Sequence, residues 1–148
     1  MKNYSTVKAA KDAGDEVLVY HTGQHYDENM TDSFFEQMGY EPDNIRVGDY
    51  VFGDTIDDLM DYIRQEKPNV VLANGDTAAA LIAGIASMYS DTKFAHVEAG
   101  LRSYDPEMYE ERNRIMVDSI AHYLFAYTSL QAAFLNTRQE LRGKVFTV

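Results

Sequence analysis

Short runs rich in β-branched and aromatic residues, VLVYH (17–21), VVLAN (70–74), FAHVE (94–98), YLFAY (123–127) and KVFTV (144–148), recur along the chain with longer helix-patterned segments between them. This alternation constrains the fold more than any other feature. Strands joined through helical crossovers run parallel, and a parallel sheet buries both faces. The expected fold is therefore α/β, a Rossmann-like parallel sheet with helices on both faces.

The intervening segments carry helix signals. Met30, Phe34, Phe35 and Met38 recur at helical spacing behind Asp27, and Gly39 supplies a stop, which predicts a helix over 27–38. Asp54 is the expected cap of a second helix, whose Ile56, Leu59, Met60 and Ile63 form one apolar stripe before Lys67 and Pro68. Further helices are expected over 77–89, 107–121 and 128–141. The segment YSTVKAAKDAG reads as a helix stopped by Gly14. The chain thus opens on a helix where such folds open on a strand, so the first strand is expected to be absent.

Composition narrows the function classes. A length of 148 residues, 45% of them hydrophobic, suits one globular domain. No apolar run approaches the roughly 20 residues of a membrane span. The formal charge of -11 argues against a nucleic-acid partner, which needs clustered Lys and Arg. With no cysteine there is neither a disulfide framework nor a thiolate zinc site, and the polar opening lacks the apolar core of a secretory signal. The expected setting is the cytoplasm. His21 and His25 have i, i+4 spacing, but Gly23 between them removes the helix that would align a metal pair, so no metal is expected.

Ligands of open parallel sheets bind beyond the carboxyl ends of the strands. Asp76 stands two residues past VVLAN, behind Gly75 and ahead of a helix that begins near Thr77. It is either a ligand-facing acid or that helix's N-cap. Glu98 closes FAHVE and shares the same rim, with Arg102 close enough in sequence to hold it in an ion pair or to meet a phosphate. His96, two residues before Glu98, is expected on the same sheet face, orienting the site or simply buried. In MYEERNR, Glu110 shares a helix face with Asn113 and is spaced to pair with Arg114.

Taken in order, VYHTGQHYDENM, EKPNVVLANGDT and AHVEAGLRSYDPEMYEERNRIMVD resemble the N-terminal half of the non-hydrolysing UDP-N-acetylglucosamine 2-epimerases. HVEAGLRSYD followed by EERNR is the most specific part. The resemblance implies the N-terminal domain of a glycosyltransferase-B-like fold, with this chain as one domain and the C-terminal UDP-binding half absent. It implies interconversion of UDP-GlcNAc and UDP-ManNAc, through elimination of UDP to a 2-acetamidoglucal and re-addition, with no cofactor. Asp76, Glu98 and Glu110 are its implied catalytic acids. Arg102, His96 and Asn113 are expected near the substrate, and Gln24 and His25 in a loop that contributes a regulatory UDP-GlcNAc site in bacterial members. The implied partner is a second copy, or a complementing chain that supplies the UDP-binding half.

Two departures stand out. Tyr109 replaces the proline that precedes the paired glutamates, and Asp105 with Pro106 predicts a helix starting about one turn earlier. The opening strand and its GTRPE loop have no counterpart, so the chain alone is expected to be marginally stable or self-associating, and inactive. The alternative function is a non-catalytic nucleotide-sugar-binding or assembly module of the same fold.

Overall fold

The computed structural model describes residues 3–23, 42–46 and 51–148, which fall into two compact units, Met1–Val51 and Phe52–Val148. In the first unit α1 spans Tyr4–Ala13 and ends at Gly14, whose φ of 90° reverses the chain while its N–H bonds the carbonyls of Ala10 and Lys11. Strand β1 (Tyr20–His21) pairs in parallel with β2 (Asn44–Ile45). The first strand is shorter than VLVYH, and at Val19 the carbonyl accepts the backbone N–H groups of Asp43 and Asn44 while the N–H turns to a side chain. That N–H donates to the Asp43 carboxylate at 2.6 Å. The helix expected over 27–38 lies outside the described residues.

The second unit runs α2 (Phe52–Glu66), β3 (Val70–Asn74), α3 (Ala78–Tyr89), β4 (Lys93–Val97), α4 (Tyr109–Ile120), β5 (Tyr123–Ala126), α5 (Ser129–Asn136) and β6 (Lys144–Thr147). Its strands form one parallel sheet in the order β3-β4-β5-β6, with Asn74 opposite Val97 and Val97 opposite Phe125. The βα alternation in the sequence is thus the alternation in space.

Phe94, His96, Leu124 and Ala126 point from the sheet toward the helices and are fully buried beside Ile82, Val117 and Leu135. Each large apolar side chain among them is worth about 1.5–3 kcal/mol of burial. Helix α3 is apolar nearly all round, and Gly84 lets it approach β4. A Cβ there would stand 3.3 Å from the Phe94 ring. On the alternate face Phe125 and Phe146 stack at 5.2 Å between ring centres.

Three helix boundaries differ from expectation. Helix α2 starts at Phe52, which puts Asp54 in its first turn rather than at the cap. Helix α5 opens on a capping box between Thr128 and Gln131 but stops at Asn136, because the Thr137 hydroxyl takes the Phe134 carbonyl at 2.7 Å. Helix α4 does not start at Asp105 and Pro106. There the Asp105 carboxylate accepts the Glu107 N–H at 3.0 Å, which closes a separate turn, and the helix begins at Tyr109.

Candidate active site

Beyond β3 the chain turns through Gly75, where φ is 83° and the N–H donates to Val97 of β4 at 3.0 Å. Asp76 follows, but the N-cap of α3 is Thr77, so Asp76 does not cap that helix. Its carboxylate meets the guanidinium of Arg114 instead. Its carbonyl accepts from Asn113 Nδ2 at 2.8 Å. Consecutive residues of α4 therefore hold both the backbone and the side chain of Asp76.

Beyond β4, Glu98 is half-buried with φ at 74°, a left-handed conformation that a non-glycine residue adopts only at a cost. The loop is pinned immediately afterward. Ala99 donates to the Phe125 carbonyl at 3.0 Å, and Gly100 donates to Asp118 at 3.2 Å. Because β4 ends at Val97 and Glu98 turns left-handed, strand alternation does not carry through to it. The expectation that His96 and Glu98 share a face therefore fails.

His96 is fully buried, with Nδ1 on the Asp118 carboxylate at 2.7 Å and Nε2 on the Gly75 carbonyl at 2.9 Å. Arg102 does not hold Glu98. It donates to Asp118 at 2.7 Å and to the Leu101 carbonyl, with its guanidinium 5.2 Å from the Phe134 ring centre. Asp118 supplies a buried carboxylate that outcompetes the more exposed Glu98 for this charge.

In the first turn of α4, Glu110 is exposed and Glu111 is 3% exposed. The expected i, i+4 pair of Glu110 and Arg114 does not form. Arg114 bonds Glu111 at i, i+3 and 3.1 Å, and it is aimed at Asp76 rather than back along the surface. Glu111 also accepts the N–H and the hydroxyl of Ser103 at 2.8 and 3.1 Å. Burial opposes the charge on Glu111, but the bonds from Ser103 and Arg114 outweigh it and hold its pKa below the ordinary value. Burial likewise opposes the charge on Arg114, and the bonds to Asp76 and Glu111 raise its pKa on balance.

Asp118 and Glu111 are thus the holding residues that sequence reading misses. Asp118 sits next to Val117 in a helix of mixed polarity, where an acid reads as surface. The EE–R spacing at 111 and 114 was the available signal for Glu111. Gln24 and His25 lie outside the described residues. His21 accepts the Gly23 N–H on Nδ1 at 3.2 Å, and burial lowers its pKa. The second unit therefore presents acids after two adjacent strands, with α4 fastened beneath them by Asn113, Arg114 and Asp118.

The family model described as UDP-N-acetylglucosamine 2-epimerase matches residues 8–148. The chain belongs to this family. The UDP-N-acetylglucosamine 2-epimerase of Methanococcus maripaludis is 42% identical over 121 residues, which cover 78% of this chain and 33% of that protein. The UDP-2,3-diacetamido-2,3-dideoxy-D-glucuronate 2-epimerase of Pseudomonas aeruginosa is 41% identical over 117 residues, 75% of this chain and 33% of its own length. The crystal structure of the Methanocaldococcus jannaschii UDP-GlcNAc 2-epimerase, in complex with UDP-GlcNAc and UDP, aligns over 99% of this chain and 42% of its own, at 34% identity and a TM-score of 0.88. The chain spans about a third of the length of the first two relatives. The α/β fold with parallel sheets is that of the N-terminal region of the glycosyltransferase-B-like epimerases. Among the described residues no helix is long and apolar enough to cross a membrane.

Proposed function

We propose that this chain carries the acid–base groups of a UDP-sugar 2-epimerase that interconverts UDP-GlcNAc and UDP-ManNAc. The supporting observation is that the family match coincides with carboxylates placed after adjacent parallel strands, Asp76 beyond β3 and Glu98 beyond β4. A base removes the C2 proton, the C–H electron pair becomes the C1–C2 double bond, and UDP departs with the C1–O electron pair. Protonation of C2 on the other face, with return of UDP to C1, gives the epimer. Two differently placed acids serve the two faces.

In this reading Asp76 and Glu98 act on C2, and Glu110, exposed on the first turn of α4, is the third acid. Glu111 is already committed to Ser103 and Arg114. Asn113 and His96 orient the Asp76 loop, and Arg102 orients the Glu98 loop through Asp118. The UDP-binding domain comes from the remainder of the enzyme or from a complementing chain, in an assembly of two copies. The setting in this reading is cytoplasmic.

The test joins this chain to the remainder of the M. jannaschii enzyme and incubates the product with UDP-GlcNAc in deuterated water. Deuterium should enter C2, and Glu98→Gln should slow entry at least about 10²-fold, a usual general acid–base contribution. Binding of UDP-GlcNAc without any C2 exchange would favour the non-catalytic module instead.

A further inference from the structure

His96 is buried where water cannot complete its hydrogen bonds, and each of its ring nitrogens faces an oxygen that can only accept. Nδ1 is 2.7 Å from Asp118 Oδ1, and Nε2 is 2.9 Å from the Gly75 carbonyl. A neutral imidazole has one N–H and would set a lone pair against one of these oxygens. A proton on Asp118 Oδ1 would satisfy the same two bonds, but it would leave the buried guanidinium of Arg102, 2.7 Å from Oδ2, facing a neutral acid. Asp118 and Arg102 are the charged groups bonded in this network, the one to His96 and the other to Asp118.

We propose that His96 is a doubly protonated positioning residue, whose imidazolium ties the loop before Asp76 to the loop after Glu98 through Asp118. Gly75 is the residue before Asp76, and Gly100 stands two residues past Glu98. A donor at each end of one rigid ring therefore sets the spacing of the two loops. The positioning role rests on the reading of Asp76 and Glu98 as the reacting acids, whereas the protonation state rests on the hydrogen bonds and on the Arg102–Asp118 ion pair.

The test is ¹⁵N NMR of the ring nitrogens of His96 in the full chain at neutral pH, assigned by through-bond correlation from the wild-type backbone. Two protonated nitrogens are expected. One protonated and one bare nitrogen would overturn the proposal. Amide hydrogen exchange in His96→Asn tests the coupling. Asn is too short to bridge both oxygens, so exchange at Gly100, which His96 does not touch, should rise by about tenfold. A change confined to the Gly75 loop would overturn the positioning role. The wild-type ¹⁵N measurement stands even where the variant fails to fold. Absence of C2 deuteration in the joined enzyme would count against the function and leave these two readouts intact.

Discussion

Arg114 on α4 and Asp76 beyond β3 lie 38 residues apart in sequence and meet as guanidinium on carboxylate, with a second arm of Arg114 on Glu111 at 3.1 Å. Their side chains are 12% and 21% exposed, and that of Glu111 is 4% exposed, so the bridge is largely shielded from water. Arg114→Met keeps the length of the side chain but leaves two carboxylates without their cation. The expected cost is about 3–5 kcal/mol in urea unfolding, the penalty of breaking a buried pair. Arg114→Lys should recover part of it, since an ammonium cannot fork toward both acids. A cost below about 1 kcal/mol for Arg114→Met would class the bridge with ordinary surface pairs.

Glu111 should shape the acid limb of the stability curve. Its folded pKa lies below the ordinary 4.5, so its contribution is fully present above that value. It is lost as pH falls through the lower, folded pKa. Glu111→Gln removes this dependence. Unfolding free energies measured from pH 6 downward should therefore fall more steeply for the wild type than for the variant below about 4.5, the two running parallel above it. Parallel curves throughout would show that Glu111 is not the group responsible.

The second unit's strands were legible because each run is short, β-rich and separated by a helical period. VVLAN coincides with β3, and the other three shift by a residue at most. What the sequence hides is pairing across elements. Arg102 stands four residues from Glu98 and bonds Asp118, and Arg114 stands four from Glu110 and bonds Asp76 and Glu111. Local spacing proposes a partner, whereas burial selects one, and burial depends on how α4 packs against β4. Asp105 misled for a related reason. A side chain suited to capping a helix is equally suited to closing a turn, and it did the latter.

Gly100 should be intolerant of any side chain. Its φ is 79°, and a Cβ would lie 3.0 Å from the Gln131 carbonyl and from the Leu135 side chain. The carbonyl belongs to α5 and cannot swing aside as a flexible side chain can. Gly100→Ala should cost about 1–3 kcal/mol, from left-handed strain together with the contact. It should also loosen the bond from the Gly100 N–H to Asp118, which amide exchange would report directly. An alanine variant of wild-type stability would mean that this loop is free to shift.

Glu98 holds the same kind of backbone with the wrong kind of residue, its φ of 74° being paid for by the surrounding bonds at Ala99 and Gly100. Comparing Glu98→Gly with Glu98→Ala isolates that strain, because both variants remove every interaction of the side chain and differ only at Cβ. At an ordinary position glycine is the worse choice by roughly 0.5–1 kcal/mol, through its freedom in the unfolded chain. Here the left-handed penalty of about 1–2 kcal/mol falls on alanine alone. The order should therefore invert, with Glu98→Gly the more stable variant by up to about 1 kcal/mol in urea unfolding. Neither variant should support C2 deuteration in the joined enzyme. Strain held at an acid beyond the carboxyl end of a parallel strand is the pattern of a residue kept for reaction geometry. If Glu98→Ala proves the more stable of the two, the left-handed turn is not held in solution, and Glu98 loses the fixed aim on which its proposed role depends.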